Sequence, residues 1–436
     1  MKKSFLYNAY IFVSIAAVFL SSPSLIINEI STLTGVNLSI LNLAIFGNAG
    51  LLMVRHFRIV RMDRNSKRFA TSYLVIIIYF VIIWVLEYEF NLSGAGPRGI
   101  IKTMVMVGFT LGLMNSVKFQ IIQFLKFFVS VAAFFSLLSL ILYFGYLAGF
   151  LTVSWSPVEG HFSMVKGFGG YLNTSLDFYQ ASSGISLRNQ SYFTEPANLG
   201  QFLMVPLFIG SYIYGKEKNK VFFVLQVIIF LALFVTFSVA NIFGLLFGLF
   251  VYYQYFLGSN SMGRNSAIRK ALKFMMVIVI LTGIYQLFNI SNTTDRKTVF
   301  AKGENVALPE RWERNVVYWE EVKDHPFGNI EFTSVNRSNP GMVGYLLIAG
   351  GFPLAVYFLV VLGTLVVRVA RRSRKSEHAL VFAGLFGFLP PFVWDGQFSE
   401  AYFLFLLALF VRMLQADRAG EFQEFANICE AKTGRS

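Results

Sequence analysis

The distribution of positive charge constrains the fold of this chain more than any other feature of its sequence. Long apolar stretches are joined by segments that are alternately rich and poor in Lys and Arg. The segment 55–68 is densely basic, whereas 23–37 and 87–97 contain no Lys or Arg. Basic loops stay on the cytoplasmic side because moving their charge across a bilayer is costly. The alternation therefore predicts repeated membrane crossing, with the two longest loops, 151–195 and 291–340, together on the outer side.

Composition supports a membrane protein, since 56% of the 436 residues are hydrophobic and only 14% are charged. A soluble domain carries about 25% charged residues. A membrane-spanning helix needs about 20 apolar residues, and only helices and closed barrels satisfy their backbone groups in lipid. The fold class predicted is all-α: a polytopic integral membrane protein, with residues 1–436 as a single transmembrane domain. The apolar runs predict about twelve spans, at 5–22, 38–54, 69–86, 99–114, 126–150, 196–214, 221–237, 240–257, 272–290, 341–367, 379–394 and 398–414.

The net charge of +14 has a simple interpretation in this topology. Most basic residues fall in the predicted inner loops, where they orient the chain and contact anionic membrane lipid. No folded basic domain is available to bind nucleic acid, so we expect no nucleic-acid partner. Lys2 and Lys3 precede an apolar run without a small-residue cleavage pattern, which predicts a retained first span and cytoplasmic termini. The only cysteine, Cys429, falls in the inner tail, so no disulfide can hold the outer loops.

Several functional classes have no support in the sequence. The phosphate-binding motif G-x-x-x-x-G-K-[ST] does not occur, which argues against ATP-driven transport by this chain alone. Charged residues lie mainly at span ends rather than in mid-membrane, where ion-coupled transporters place theirs. No D-x-D pair or H-E-x-x-H motif occurs. The sequence therefore predicts chemistry without a metal ion or other cofactor.

The first predicted outer loop ends in a group of charged residues that could contact a substrate. Arg188 is followed by Glu195 and Pro196, immediately before a predicted span. Proline favours the first position of a helix, and an acidic residue there faces the positive end of the helix dipole. Glu195 therefore either caps the helix or pairs with Arg188, or the two residues lie beside the headgroup of a bound lipid.

The second outer loop contains a predicted amphipathic helix at about 310–324, which ends because Pro326 excludes the preceding residue from helical geometry. One face carries Trp312, Val316 and Trp319 and is suited to packing. If the helix continues through its last turn, a second face carries Arg311, Arg314, Tyr318, Glu321 and His325.

This second face suits a phosphorylated substrate. Guanidinium groups match phosphate oxygens and stabilise a departing diphosphate, while an imidazole can accept a proton from an attacking hydroxyl. With Arg188 and Arg337, these residues could hold a sugar donor carried on a lipid diphosphate. The alternative is a solvated helix face on which the arginines pair with neighbouring glutamates.

At these residues the chain resembles a known family. Arg188 with Ser191-Tyr-Phe-Thr-Glu195-Pro196 is similar to the R…S-x-F-x-E-P signature of bacterial O-antigen polymerases. His325-Pro-Phe-Gly328, followed by Asn339-Pro-Gly and Gly350-Gly351-Phe352, resembles a pattern shared by O-antigen polymerases and O-antigen ligases. The predicted layout, with two long outer loops containing short helices, is also similar.

The resemblance implies a GT-C-like, metal-independent, inverting glycosyltransferase of the bacterial inner membrane. Its donor and acceptor would be oligosaccharides linked to undecaprenyl diphosphate, and the resemblance suggests a chain-length regulator as a membrane protein partner. It implies that Arg188, Arg311, Arg314 and Arg337 contact the diphosphate and that His325 is the base. We expect Glu195 and Tyr318 to belong to the same substrate site, with Tyr318 as a platform on which a sugar stacks.

Three functions stay open at this point. The signature between Arg188 and Pro196 favours a polymerase of lipopolysaccharide repeat units. An O-antigen ligase would use the same chemistry with lipid A core as acceptor. Ile330 and Ser338 depart from the pattern that polymerases and ligases share, which leaves the choice between these two functions open. A third hypothesis is a lipid-linked glycan flippase or other transporter, which the scarcity of charged residues within the spans disfavours.

Overall fold

The structure is a computed structural model that describes part of the chain. The described residues are 121–150, 196–236, 238–253, 322–328, 341–373, 378–395 and 401–433, the strands between 153 and 191, parts of 67–82, and positions 35 and 47. The predicted spans 5–22, 99–114 and 272–290 lie outside them, as does 38–54 apart from position 47. The total of about twelve spans and a GT-C-like arrangement therefore stay predictions.

The described part of the chain is mainly helical, as its apolar composition predicts. In chain order the helices are α1 (Ile121–Leu147), α2 (Pro196–Glu217), α3 (Lys220–Phe234), α4 (Val239–Val251), α5 (Gly341–Ser373), α6 (Ala379–Asp395), α7 (Ala401–Arg418) and α8 (Glu421–Thr433). Each of α1 to α7 coincides with a predicted span, with ends displaced by a few residues. Pro196 begins α2, as predicted from the preference of proline for the first helical position.

The division of the apolar run 221–257 into two helices is confirmed. α3 ends at Phe234, and Ser238 precedes α4 in an extended conformation with φ −95° and ψ 114°. The amides of Asn241 and Ile242 then donate to the Ser238 carbonyl, each at 3.1 Å. A polar residue in an extended conformation is a common start for a helix.

Two described helices are long and apolar enough to cross a membrane: Ile121–Leu147, and Gly350–Arg372 within α5. Both expose large apolar side chains, among them Phe134, Phe144 and Val360. Soluble proteins rarely leave large contiguous apolar faces in water, so these surfaces are suited to lipid. The helices thus suggest membrane association.

The segment 151–195, predicted to be an outer loop containing short helices, has a different structure in its described residues. Its backbone forms a four-stranded antiparallel sheet of β1 (Val153–Ser154), β2 (Ser163–Gly167), β3 (Leu172–Ala181) and β4 (Gly184–Ser191), paired in chain order. The reason lies in the local sequence, since Leu172, Leu176 and Phe178 of β3 all stand at even-numbered positions, whereas Asn173, Ser175 and Asp177 stand between them. A two-residue period favours strands over helices.

The described residues fall into two compact units. In the unit formed by Val129–Asn315 and Ala370–Trp394, small residues bring helices close together. A side chain on Gly244 of α4 would meet the carbonyl of Gly387 and the ring of Pro391 on α6. A side chain on Gly248 would meet Gly387 and the ring of Phe208. Spacing glycines by four residues gives a helix a flat face, which is a common packing device in membranes.

Buried polar side chains link the same helices. Gln201 of α2 is fully buried and donates through Nε2 to the carbonyl of Pro391 at 3.1 Å. The hydroxyl of Tyr212 lies 2.9 Å from Nδ1 of buried His378. Such hydrogen bonds between helices stabilise membrane bundles modestly, by about 0.6 kcal/mol each.

The other unit comprises Met1–Phe128, Val316–Val369 and Asp395–Ser436. Aromatic rings form much of its described core: Phe405 of α7 lies 6.2 Å from Phe124 and 5.4 Å from Phe128 between ring centroids. The residues after α7, for which no structure was predicted, form the amphipathic helix α8. Its Glu421 pairs with Arg412 of α7 at 2.8 Å.

Candidate functional site

The predicted base, His325, begins a tight turn. Residues 322–324 are helical, and the chain leaves the helix at His325, as expected for a residue that precedes proline. The amide of Gly328 donates to the carbonyl of His325 at 2.9 Å and closes the turn. Gly328 has φ 109°, a backbone conformation that side chains disfavour. We call residues 325–328 the histidine turn.

The turn corrects one detail of the sequence analysis. His325 was placed on the polar helix face with Arg311 and Arg314 on the condition that the helix continued through it. The helical residues end at Asp324, so helical periodicity does not set the direction of His325. The backbone of the histidine turn sets it instead.

The helical residues that lead into the histidine turn contact α5 through Val322. Val322 is only 2% exposed and packs with Ile348 and Leu347 of α5. At about 100° per residue, Val322 falls between the face with Trp319 and the face with Arg311. The orientation of the predicted helix at about 310–324 stays a prediction, because residues 310–321 lie outside the described residues.

The histidine turn lies against a break in α5. At Gly351 the backbone has φ 65° and ψ −172°, which divides α5 into two helical parts. Immediately after the break, the amide of Phe352 donates to the carbonyl of Pro326 at 3.0 Å. The two sequence patterns His325–Gly328 and Gly350–Phe352, which are separated in the chain, are thus in direct contact.

A third segment holds the same turn. The hydroxyl of Tyr79, within the partly described helical stretch 67–82, donates to the carbonyl of Phe327 at 3.0 Å. The backbone of the turn is therefore bound from two sides. In contrast, the side chain of His325 is exposed, and that of Phe327 is 69% exposed.

Arg188 lies on β4, directly opposite Asp177 of β3 in the strand register. It belongs to the unit that contains Val129–Asn315, whereas the histidine turn belongs to the other unit. The remaining predicted site residues, Glu195, Arg311, Arg314, Tyr318 and Arg337, lie outside the described residues. Their roles stay predictions.

Buried carboxamides follow the Arg188–Pro196 signature in the first turns of α2. Asn198 is 7% exposed and Gln201 is fully buried. A side chain at Gly200 would collide with the amide of Asn241 on α4, so Asn241 packs directly on α2. The first turns of α2 thus pack against α4 and, through the hydrogen bond of Gln201 to the Pro391 carbonyl, against α6.

Sequence reasoning missed Tyr79 and the role of Gly351. The run Gly350-Gly351-Phe352-Pro353 did contain a usable signal, because a glycine pair followed by proline is a common site of helix breaks. Tyr79 gave no comparable signal, since one tyrosine in an apolar run has no distinctive spacing.

Comparisons with known proteins and a test for metal sites add no assignment. No family model matches the chain, and no curated protein matches it. Within the described residues, no group of three or more His, Cys, Asp or Glu side chains could hold a metal ion. Metal-independent chemistry stays a prediction of the sequence analysis.

Proposed function

We propose that this chain is a glycosyltransferase that polymerises lipid-linked oligosaccharide repeats at the outer face of the bacterial inner membrane. The growing glycan on its lipid diphosphate would be the donor, and the incoming lipid-linked repeat the acceptor. The observation that supports this proposal best is the contact between the histidine turn and the break at Gly351. Two of the sequence patterns that carry the family resemblance, His325–Gly328 and Gly350–Phe352, form one local structure, although they are separated along the chain.

The proposed reaction is a single displacement at the anomeric carbon of the donor. The imidazole of His325 accepts the proton of the acceptor hydroxyl as its oxygen forms the new bond. The bond between the anomeric carbon and the diphosphate breaks on the opposite face, which inverts the configuration. The lipid diphosphate leaves with the bonding electrons, and guanidinium groups stabilise its charge.

The exposure of His325 supports this role. A base must reach the proton that it removes, and the acceptor here is itself a large lipid-linked glycan. An exposed imidazole on a fixed backbone turn satisfies both requirements. The turn also lies beside the start of Gly350–Arg372, a helix suited to crossing the membrane, where a lipid headgroup would be found.

Deleting the gene tests the polymerase against its alternatives. We expect single repeats on the lipid A core and no longer glycan, because transfer to the core would continue. Electrophoresis of the lipopolysaccharide measures this directly. Lipid A core without any attached repeat would contradict the polymerase assignment and would favour either the ligase or the flippase.

The predicted diphosphate site is tested by Arg311→Ala and Arg314→Ala. Each substitution removes a charged hydrogen-bond donor from the leaving group and should lower elongation by at least about tenfold. Arg296→Ala, which removes an arginine from the same outer loop, is the matched control. Normal glycan length in both test variants, with normal protein abundance, would remove these two residues from the site.

A further inference from the structure

We infer that Gly351 and Tyr79 are positioning residues that hold His325 in place for the reaction. This inference rests on the proposed function, because it assigns their effect to the step that His325 performs. Neither residue is expected to contact substrate. Both act on the backbone of the histidine turn, at Pro326 and Phe327, the two residues that follow His325.

Glycine is required at position 351 for two reasons: its backbone conformation, and the lack of room for a side chain. With φ 65° it adopts a conformation that residues with a side chain rarely take. A Cβ added there would also collide with the Pro326 carbonyl, and would lie 2.6 Å from the Cα of Phe327. These are backbone atoms, which cannot rotate away as the end of a flexible side chain can. Any larger residue must therefore displace the turn.

The break at Gly351 also supplies a hydrogen-bond donor to the turn. The first amides of a helix have no acceptor within that helix. The amide of Phe352, at the start of the second part of α5, donates instead to the carbonyl of Pro326. The next residue, Pro353, has no amide hydrogen and a backbone angle already suited to a helix start.

Tyr79 fixes the turn from a distant part of the sequence. Its hydroxyl donates to the carbonyl of Phe327, 248 residues further along the chain. The His325 carbonyl is bound to the amide of Gly328. The carbonyls of three successive residues, from His325 to Phe327, are thus held while the imidazole of His325 is exposed. This arrangement restricts the backbone and leaves the imidazole accessible to an acceptor.

The test measures elongation by the purified full-length protein, with lipid-linked repeats extracted from source cells that lack this chain. We expect kcat to fall about 100-fold in Gly351→Ala and about tenfold in Tyr79→Phe, with KM little changed, because a displaced base slows the chemical step. Gly363→Ala and Tyr357→Phe are the matched controls. Gly363→Ala is the control for Gly351→Ala, because an added side chain at Gly363 meets nothing within 4 Å. Tyr357→Phe is the control for Tyr79→Phe and removes a tyrosine hydroxyl from α5.

A double-mutant cycle separates positioning from general structure. If Tyr79 acts through His325, Tyr79→Phe should cause no further loss in a His325→Ala background. Equal relative losses in both backgrounds, or wild-type kcat in Tyr79→Phe, would overturn the inference. The measurements on Tyr79→Phe still test the inference if the Gly351→Ala protein fails to accumulate in the membrane. No elongation by the wild-type protein would instead refute the proposed function itself.

Discussion

Replacing His325 with alanine is expected to lower the rate of glycan elongation by about a hundredfold to ten-thousandfold, the usual contribution of a general base. Protein abundance should not change, because the side chain is exposed and the turn is held through backbone groups. The measurement is the initial rate of elongation with lipid-linked repeats, together with the amount of folded protein in the membrane. KM should change less than kcat, because His325 acts on the acceptor proton rather than on the lipid anchor.

The neighbouring carboxylate provides the control for this prediction. Asp324 is also exposed and could accept a proton in place of His325. Asp324→Asn keeps the size of the side chain but removes the negative charge, and we expect it to retain most of the activity. A large loss in Asp324→Asn combined with normal activity in His325→Ala would assign the base to Asp324 and contradict the proposed mechanism.

Replacing Gly244 with alanine is expected to lower the free energy of unfolding by at least about 2 kcal/mol, because overpacking a close helix contact forces backbones apart. The added methyl would meet the Gly387 carbonyl on one side, and would lie 2.9 Å from Cγ of Pro391. Pro391 has no amide hydrogen, so the Gly387 carbonyl lacks its usual donor four residues later and faces α4. Thermal unfolding of the protein in detergent measures the effect.

Gly215→Ala is the matched control for the packing prediction. It lies on α2 in the same unit, and an added side chain there meets nothing within 4 Å. We expect its melting temperature to equal or slightly exceed that of the wild type, since alanine favours helices over glycine. Equal melting temperatures for Gly244→Ala and Gly215→Ala would show that the contact between α4 and α6 is not tight.

The helices could be predicted well from the sequence because their signals are local. Runs of apolar residues mark α1 to α7, Pro196 marks the start of α2, and Ser238 marks the division between α3 and α4. Pro326 correctly ended the helix before the histidine turn. In each case, the deciding interaction lies within a few residues of the position predicted.

Other features depended on contacts between distant residues or on a weaker pattern. The sheet in 151–195 was missed although β3 has a two-residue period, because its many Gly and Ser neighbours resemble a loop. The glycine pair before Pro353 could have indicated the break in α5, but the role of Gly351 depends on the backbone of Pro326 and Phe327, which reaches it only in the folded chain. The contact of Tyr79 with Phe327 is likewise invisible along the sequence.

The contacts between the arginines and a lipid diphosphate stay predictions. Arg188 stands opposite Asp177 in the strand register, and opposite charges at such positions of a sheet attract each other. If the pair is purely structural, Asp177→Asn should impair elongation as much as Arg188→Ala does. If Arg188 binds the leaving group, Arg188→Ala should have much the larger effect, since charged contacts to a diphosphate strengthen in the transition state.

The most direct test of the proposed function is elongation by the purified protein alone. Lipid-linked single repeats should be converted into a ladder of longer lipid-linked glycans, with EDTA present and without any added protein, and the His325→Ala protein should form that ladder about a hundredfold to ten-thousandfold more slowly. A wild-type protein that is folded yet produces no ladder, or a ladder of equal rate from His325→Ala, would contradict the account.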